Sequence, residues 1–98
     1  MDGPDEVIHQ STRLRLAAAL NALGTRDLME FAQLKSLLET TDGNLATHLA
    51  ALEKSEYVAV TKDFVGKKPR TRVALTRKGR EALRRHVSYL RSVLEGVD

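Results

Sequence analysis

The sequence predicts a mainly α-helical domain that carries one small β-hairpin. Three observations predict it. Leu and Val residues recur at spacings of three and four in four separate stretches, the period of a helix with one buried face. Tyr57 to Val65 breaks that period and is rich in β-branched and aromatic residues, with Val58 and Val60 alternating with smaller or polar neighbours. Turn chemistry follows in "GKKPR" (66–70), after which "TRVAL" resumes the strand pattern. The chain has 98 residues and no cysteine, which suits one domain with a modest core and excludes disulfides and thiolate metal sites.

Taken in order, residues 1–7 are acidic and contain Gly3 and Pro4, so a frayed, flexible tail is expected there. Ser11 is an N-cap candidate for a helix in which Leu16, Leu20 and Leu23 share a face with Ala17, and Gly24 is a stop signal. Asp27 to Phe31 reads as a small strand. Leu34, Leu37 and Leu38 mark a short helix over 31–38. "ETTD" interrupts it, and Thr41 is an N-cap for a further helix, about 41–55, built on Leu45, Leu49 and Leu52. Two short helices joined by a tight turn outline a helix-turn-helix.

The hairpin comes next, with Lys67, Lys68 and Arg70 in its loop, Pro69 stiffening that loop and Arg72 in the returning strand. Thr76 caps a last helix of about 76–97. Its apolar positions Leu83, Val87, Leu90, Leu94 and Val97 are spaced 4, 3, 4 and 3, a narrow seam suited to pairing with the same helix of a second copy. Tyr89 lies at the edge of this seam. Helix, short strand, helix, helix, hairpin and helix make a winged helix-turn-helix over 8–98, with a long C-terminal dimerisation helix.

Charge is unevenly spread. Residues 1–60 hold 5 basic and 9 acidic side chains; residues 61–92 hold 11 basic and 2 acidic. Such asymmetry points to a polyanionic partner. The tip segment 66–72 contains no acid to balance its cations.

The helix over 41–55 opens with Gly43 and Asn44, both poor helix formers. With its leucines turned inward, Gly43, Asn44, Thr47, Ala50 and Ala51 fall on the outer side, and His48 at the border. A slim outer face can approach a duplex closely. Gly43 lets the backbone near a phosphate or groove wall, and Asn44 can make the paired hydrogen bonds that suit adenine. Thr47 offers a hydroxyl and a methyl, and Thr41 and Asp42 begin the contacting turn. On the hairpin, Lys67, Lys68 and Arg70 are expected on phosphates, with Arg70 or Lys68 entering the minor groove and Arg72 flanking.

Catalysis is not expected. His9, His48 and His86 are far apart in sequence, no glycine-rich phosphate loop follows a strand, and the serines sit where caps and helix faces explain them. No cofactor or metal is expected. No apolar run is long enough for a bilayer span and no signal-peptide pattern occurs, so a cytoplasmic protein is expected.

The stretches "VIHQSTRLRLAAAL" (7–20), "FAQLKSLLETTDGNLATHLAALEKSEYV" (31–58) and "FVGKKPRTRVALTRKGREAL" (64–83) together resemble the short single-domain winged-helix transcriptional regulators of the MarR/ArsR type. The resemblance implies a homodimeric DNA-binding repressor or activator, with DNA contacts on Asp42 to His48 and Lys67 to Arg70. It also implies a small-molecule effector pocket near the dimer helices, for which this sequence specifies no residues. Such sequences commonly have glycine where this chain has Glu39 and Glu56, and an apolar turn residue where it has Thr40. The metal-binding cysteines of metal-sensing ArsR members are absent. The reading is thus a sequence-specific regulator of double-stranded DNA. The alternative is a winged-helix protein-interaction module that does not read DNA.

Overall fold

The computed structural model describes residues 3–23 and 28–96. The expected elements follow in the expected order: α1 (Ser11–Asn21), β1 (Met29–Glu30), α2 (Phe31–Leu38), α3 (Asp42–Lys54), β2 (Val58–Val65), β3 (Lys68–Leu75) and α4 (Arg77–Glu95). The stop signal at Gly24, the strand start at Asp27 and the seam position Val97 lie outside the described residues. The three strands form an antiparallel sheet in the order β1-β3-β2. No helix among the described residues is long and apolar enough to cross a membrane.

The leucine periodicity puts one face of each helix inward. Leu16 and Leu20 of α1, Leu34 and Leu38 of α2, and Leu45, Leu49 and Leu52 of α3 are buried together. Val58, Val73 and Leu75 of the sheet and Ala82 and Leu83 of α4 complete that core. Leu37 is the exception on α2: it is 56% exposed, one residue off the buried stripe.

Three expectations are corrected at the ends of elements. The cap of α1 is Gln10, not Ser11; its side chain accepts the Arg13 N–H at 3.0 Å. The fraying expected over 1–7 does not reach Asp5. Its carboxylate accepts the N–H groups of Val7 and Ile8, both at 2.9 Å, and the Tyr57 hydroxyl at 2.7 Å, while its own N–H donates to Nδ1 of buried His86. This turn delivers Ile8, fully buried, to the core. The hairpin loop is also shorter than expected. It is a two-residue turn, Gly66-Lys67, and Lys68, Pro69 and Arg70 already belong to β3, opposite Val65, Phe64 and Asp63. Gly66 alone of the turn pair has positive φ, 63°, which suits the first central position of a type II′ turn.

Both helices of the helix-turn-helix end in the same way. Glu39 (φ 52°) and Glu56 (φ 63°) take the left-handed conformation that glycine ordinarily supplies. After α2, the N–H groups of Glu39 and Thr40 donate to the Ser36 and Lys35 carbonyls at 3.2 Å. After α3, those of Glu56 and Tyr57 donate to the Glu53 and Leu52 carbonyls at 2.9 Å. These are Schellman closures, built in this chain with glutamate at the strained position.

The start of α4 is fixed by Thr76, whose side chain accepts the Gly79 N–H at 2.9 Å, as a capping threonine should. Gly79 lies directly on the root of the hairpin. A Cβ there would sit 2.1 Å from the Tyr57 carbonyl oxygen, so no other residue fits without moving the helix.

Candidate nucleic-acid interface

Thr41 accepts the Asn44 N–H at 3.2 Å and so starts α3 where the sequence placed its cap. Asp42, Gly43, Asn44, Ala46, Thr47 and Ala50 are exposed; His48 and Ala51 are half-buried. A Cβ on Gly43 would meet no atom within 4 Å, so nothing inside the protein requires glycine there. The polar side chains of this edge are held in set orientations. Asn44 donates from Nδ2 to Thr40 Oγ1 at 2.7 Å, which leaves its Oδ1 and its second amide hydrogen for another partner. The Thr47 hydroxyl donates to the Gly43 carbonyl at 2.9 Å, so toward a ligand it is an acceptor beside an exposed methyl. Asp42 pairs with Lys35 at 2.9 Å, tying α3 to α2 across the turn and offsetting an acid on this edge.

His48 is half-buried at the border of this edge. Its Nδ1 accepts the Arg13 Nε–H at 3.2 Å, a bridge from α3 to α1, and the same guanidinium donates to the Val7 carbonyl. Burial, and then the nearby Arg13 charge, hold the imidazole below its ordinary pKa. Its Nδ1 is occupied by Arg13, and this environment disfavours the charged imidazolium.

The alternation of the hairpin decides which side chains accompany α3. Val58, Val60, Lys62 and Phe64 share one face of β2, opposite Leu75, Val73, Thr71 and Pro69. At the root this face is core. Farther out it faces α3: Val60, Lys62 and Thr71 line a groove of about 540 Å³ with Ala46, Leu49, Ala50 and Glu53. The slim edge of α3 and the hairpin therefore flank one groove. Lys62, which sequence reading passed over, is the cation on the shared face. Its signal was available in its parity with Val58 and Val60.

Arg70 and Arg72 lie on the opposite face of the hairpin, and both are paired with an acid that the sequence reading did not assign to them. Asp63 stands directly across from Arg70 and accepts its Nε–H and Nη2–H at 2.9 and 2.8 Å, and Arg72 at 3.1 Å. The Arg70 hydrogen bonds, with the charges of Arg70 and Arg72, hold the Asp63 carboxyl below its usual range against the opposing effect of desolvation. The Arg72 Nε is buried without a partner among the described residues. The acid missing from the tip segment is thus supplied across the strand. Lys67, in the turn, and Lys68, first in β3, are exposed.

The expected dimer positions separate along α4. Leu83 is 5% exposed within its own core, so it is not available to a second copy. Val87 packs against that core from a half-buried position. Leu90 is half-buried, and Val93 and Leu94 are 46% and 71% exposed. The buried stripe of α4 is Gly79, Ala82, Leu83 and His86, displaced from the predicted seam.

The sequence profile of the winged helix DNA-binding domain family matches residues 12–94. An uncharacterised protein of Methanocaldococcus jannaschii is 28% identical over 93 residues, covering 95% of this chain and 98% of its own. A transcriptional regulator homologue from Pyrococcus horikoshii OT3 superimposes with a TM-score of 0.85 at 31% identity, over 96% of this chain and 90% of that one. A MarR-like transcriptional regulator from Thermotoga maritima superimposes with a TM-score of 0.64 at 27% identity, over 99% and 70% of the two chains.

Proposed function

The chain belongs to the winged helix DNA-binding domain family, and from that premise we propose that it is a transcriptional regulator that reads specific duplex sites as a homodimer in the cytoplasm. It is a DNA-binding protein and not an enzyme. In the proposed complex α3 enters the major groove with Gly43, Asn44 and Thr47 toward base edges. The hairpin lies on the flanking phosphates, with Lys67 and Lys68 at its tip and Lys62 on its inner side. The two copies pair through the distal part of α4. The MarR-like and Pyrococcus regulators support the regulatory reading by likeness over most of the chain.

One observation carries this reading: α3, through exposed Ala46 and Ala50, and the hairpin, through Lys62, flank the same groove, and Lys67 and Lys68 are exposed at the hairpin's end. A duplex presents a groove floor between two anionic ridges, and this surface presents a thin edge beside Lys62, with further cations toward the hairpin tip.

The test is duplex binding across a salt series. Lys67→Ala with Lys68→Ala should weaken all sequences and lower the salt slope by about 1 for each phosphate that is no longer neutralised. Asn44→Ala should leave that slope intact and erode preference between sequences by about 1–3 kcal/mol. A double lysine variant with an unchanged slope would remove the wing from the interface.

A further inference from the structure

Phe64 is 70% exposed and its neighbour Val65 is 56% exposed. The chain has two phenylalanines; the other, Phe31, packs against the core. Phe64 therefore contributes nothing to the buried interior and stands near the end of the hairpin, across from Pro69. An aromatic ring and a pyrrolidine ring occupy one rung, on the face that carries Lys62 and looks toward α3. The hairpin around them holds Lys62, Lys67, Lys68, Arg70 and Arg72 against the single acid Asp63.

An apolar protein partner seated on this rung would have to strip water from the surrounding lysines. A duplex compensates that loss: its phosphates supply counter-charge to the cations, and a partly unstacked base step supplies apolar surface to the rings. Phe64 lies four residues past Val60, the outermost core-packed residue of β2, a reach of about 13 Å at ordinary strand rise. That carries it out of the groove shared with α3 and over the neighbouring ridge.

We infer that Phe64, backed by Pro69, is a non-polar wedge laid against a base step of the minor groove, and that the protein selects sites partly by how easily that step unstacks. Phenylalanine and proline serve as such wedges, and pyrimidine–purine steps yield to them most readily. The inference rests on the proposed DNA-binding role of the hairpin and adds to it a specificity element that makes no hydrogen bond to a base.

The experiment selects sites for the full chain from a randomised duplex pool and repeats the selection with Phe64→Ala and Phe64→Leu. The wild type should enrich a TA or CA/TG step at a fixed distance from the half-site read by α3. Phe64→Ala should reduce that enrichment by about fivefold or more while keeping its salt slope, and Phe64→Leu should recover part of it. End-to-end energy transfer on a selected, end-labelled duplex should report a bend with the wild type and a smaller one with Phe64→Ala. Unchanged step preference and bend in Phe64→Ala would overturn the wedge while leaving the DNA-binding reading intact. A change only in oligomeric state would also overturn it, assigning the ring to a second copy. Absence of any duplex binding by the wild type at low salt would overturn both.

Discussion

Three residues show how single positions divide between folding and binding. Gly43 has open space around its missing Cβ, so Gly43→Ala fits the fold. Alanine is the better helix former by up to about 1 kcal/mol, so thermal stability should hold or rise. Duplex affinity should fall, because the added methyl stands where the backbone would approach DNA. Calorimetry and a binding titration on one sample separate the two effects, and equal affinity would free Gly43 of any binding role. Glu39 and Glu56 show the converse. A left-handed conformation costs a non-glycine residue about 1–2 kcal/mol, and glycine returns about 0.5–1 kcal/mol of that as chain entropy given up on folding. Glu39→Gly and Glu56→Gly should each therefore stabilise the protein, raising the melting temperature by about 2–6 °C. A lowered midpoint would mean that these side chains make contacts that outweigh the strain.

The hairpin shows what sequence periodicity can and cannot reveal about an element. Its strands were legible in the alternation from Val58 and in the turn residues around Gly66, and so were the helices and the caps at Thr41 and Thr76. The register was not. Reading 66–70 as loop left Arg70 without a partner; a two-residue turn sets it opposite Asp63. One assumption about turn length thus hid an ion pair. The contact between Asp5 and His86 was illegible for another reason. The local turn at Asp5 is a short-range event, but its partner is 81 residues away and no periodicity joins them.

The Asp63 cluster gives the hairpin a pH signature. A carboxyl lowered in the folded state contributes stability that is fully present above its ordinary pKa of about 3.9 and is lost as pH falls through the folded value. NMR signals of the Arg70 side chain and of neighbouring amides should stay constant near neutrality and change together only in acid. Asp63→Asn should abolish that coupled change. A transition near pH 6 would point to a different group.

At the scale of the whole molecule, the distal half of α4 leaves Leu94 and Val93 exposed while its proximal half closes the core. If a second copy covers them, Leu94→Glu should yield monomers by sedimentation with an unchanged far-ultraviolet spectrum, and half-site affinity should survive while full-site affinity falls. Retained dimers would move the interface elsewhere. The fold class was readable because four helices and a hairpin each carry their own period; along α4 the same spacing admits Leu83 and Val87 either to the domain core or to a seam, and burial places Leu83 in the core. A continuous apolar spacing does not mark where a chain's own core ends.

The contact at Gly79 joins these scales. Because α4 rests directly on the Tyr57 backbone with no side chain between them, the angle of the helix to the hairpin root is set by a backbone contact. A helix of 19 residues is about 28 Å long, so a small tilt at that pivot is magnified at its far end. In the proposed pair of copies, the separation of the two reading heads, and hence the number of base pairs between half-sites, is calibrated at a position whose contribution is to take up no room.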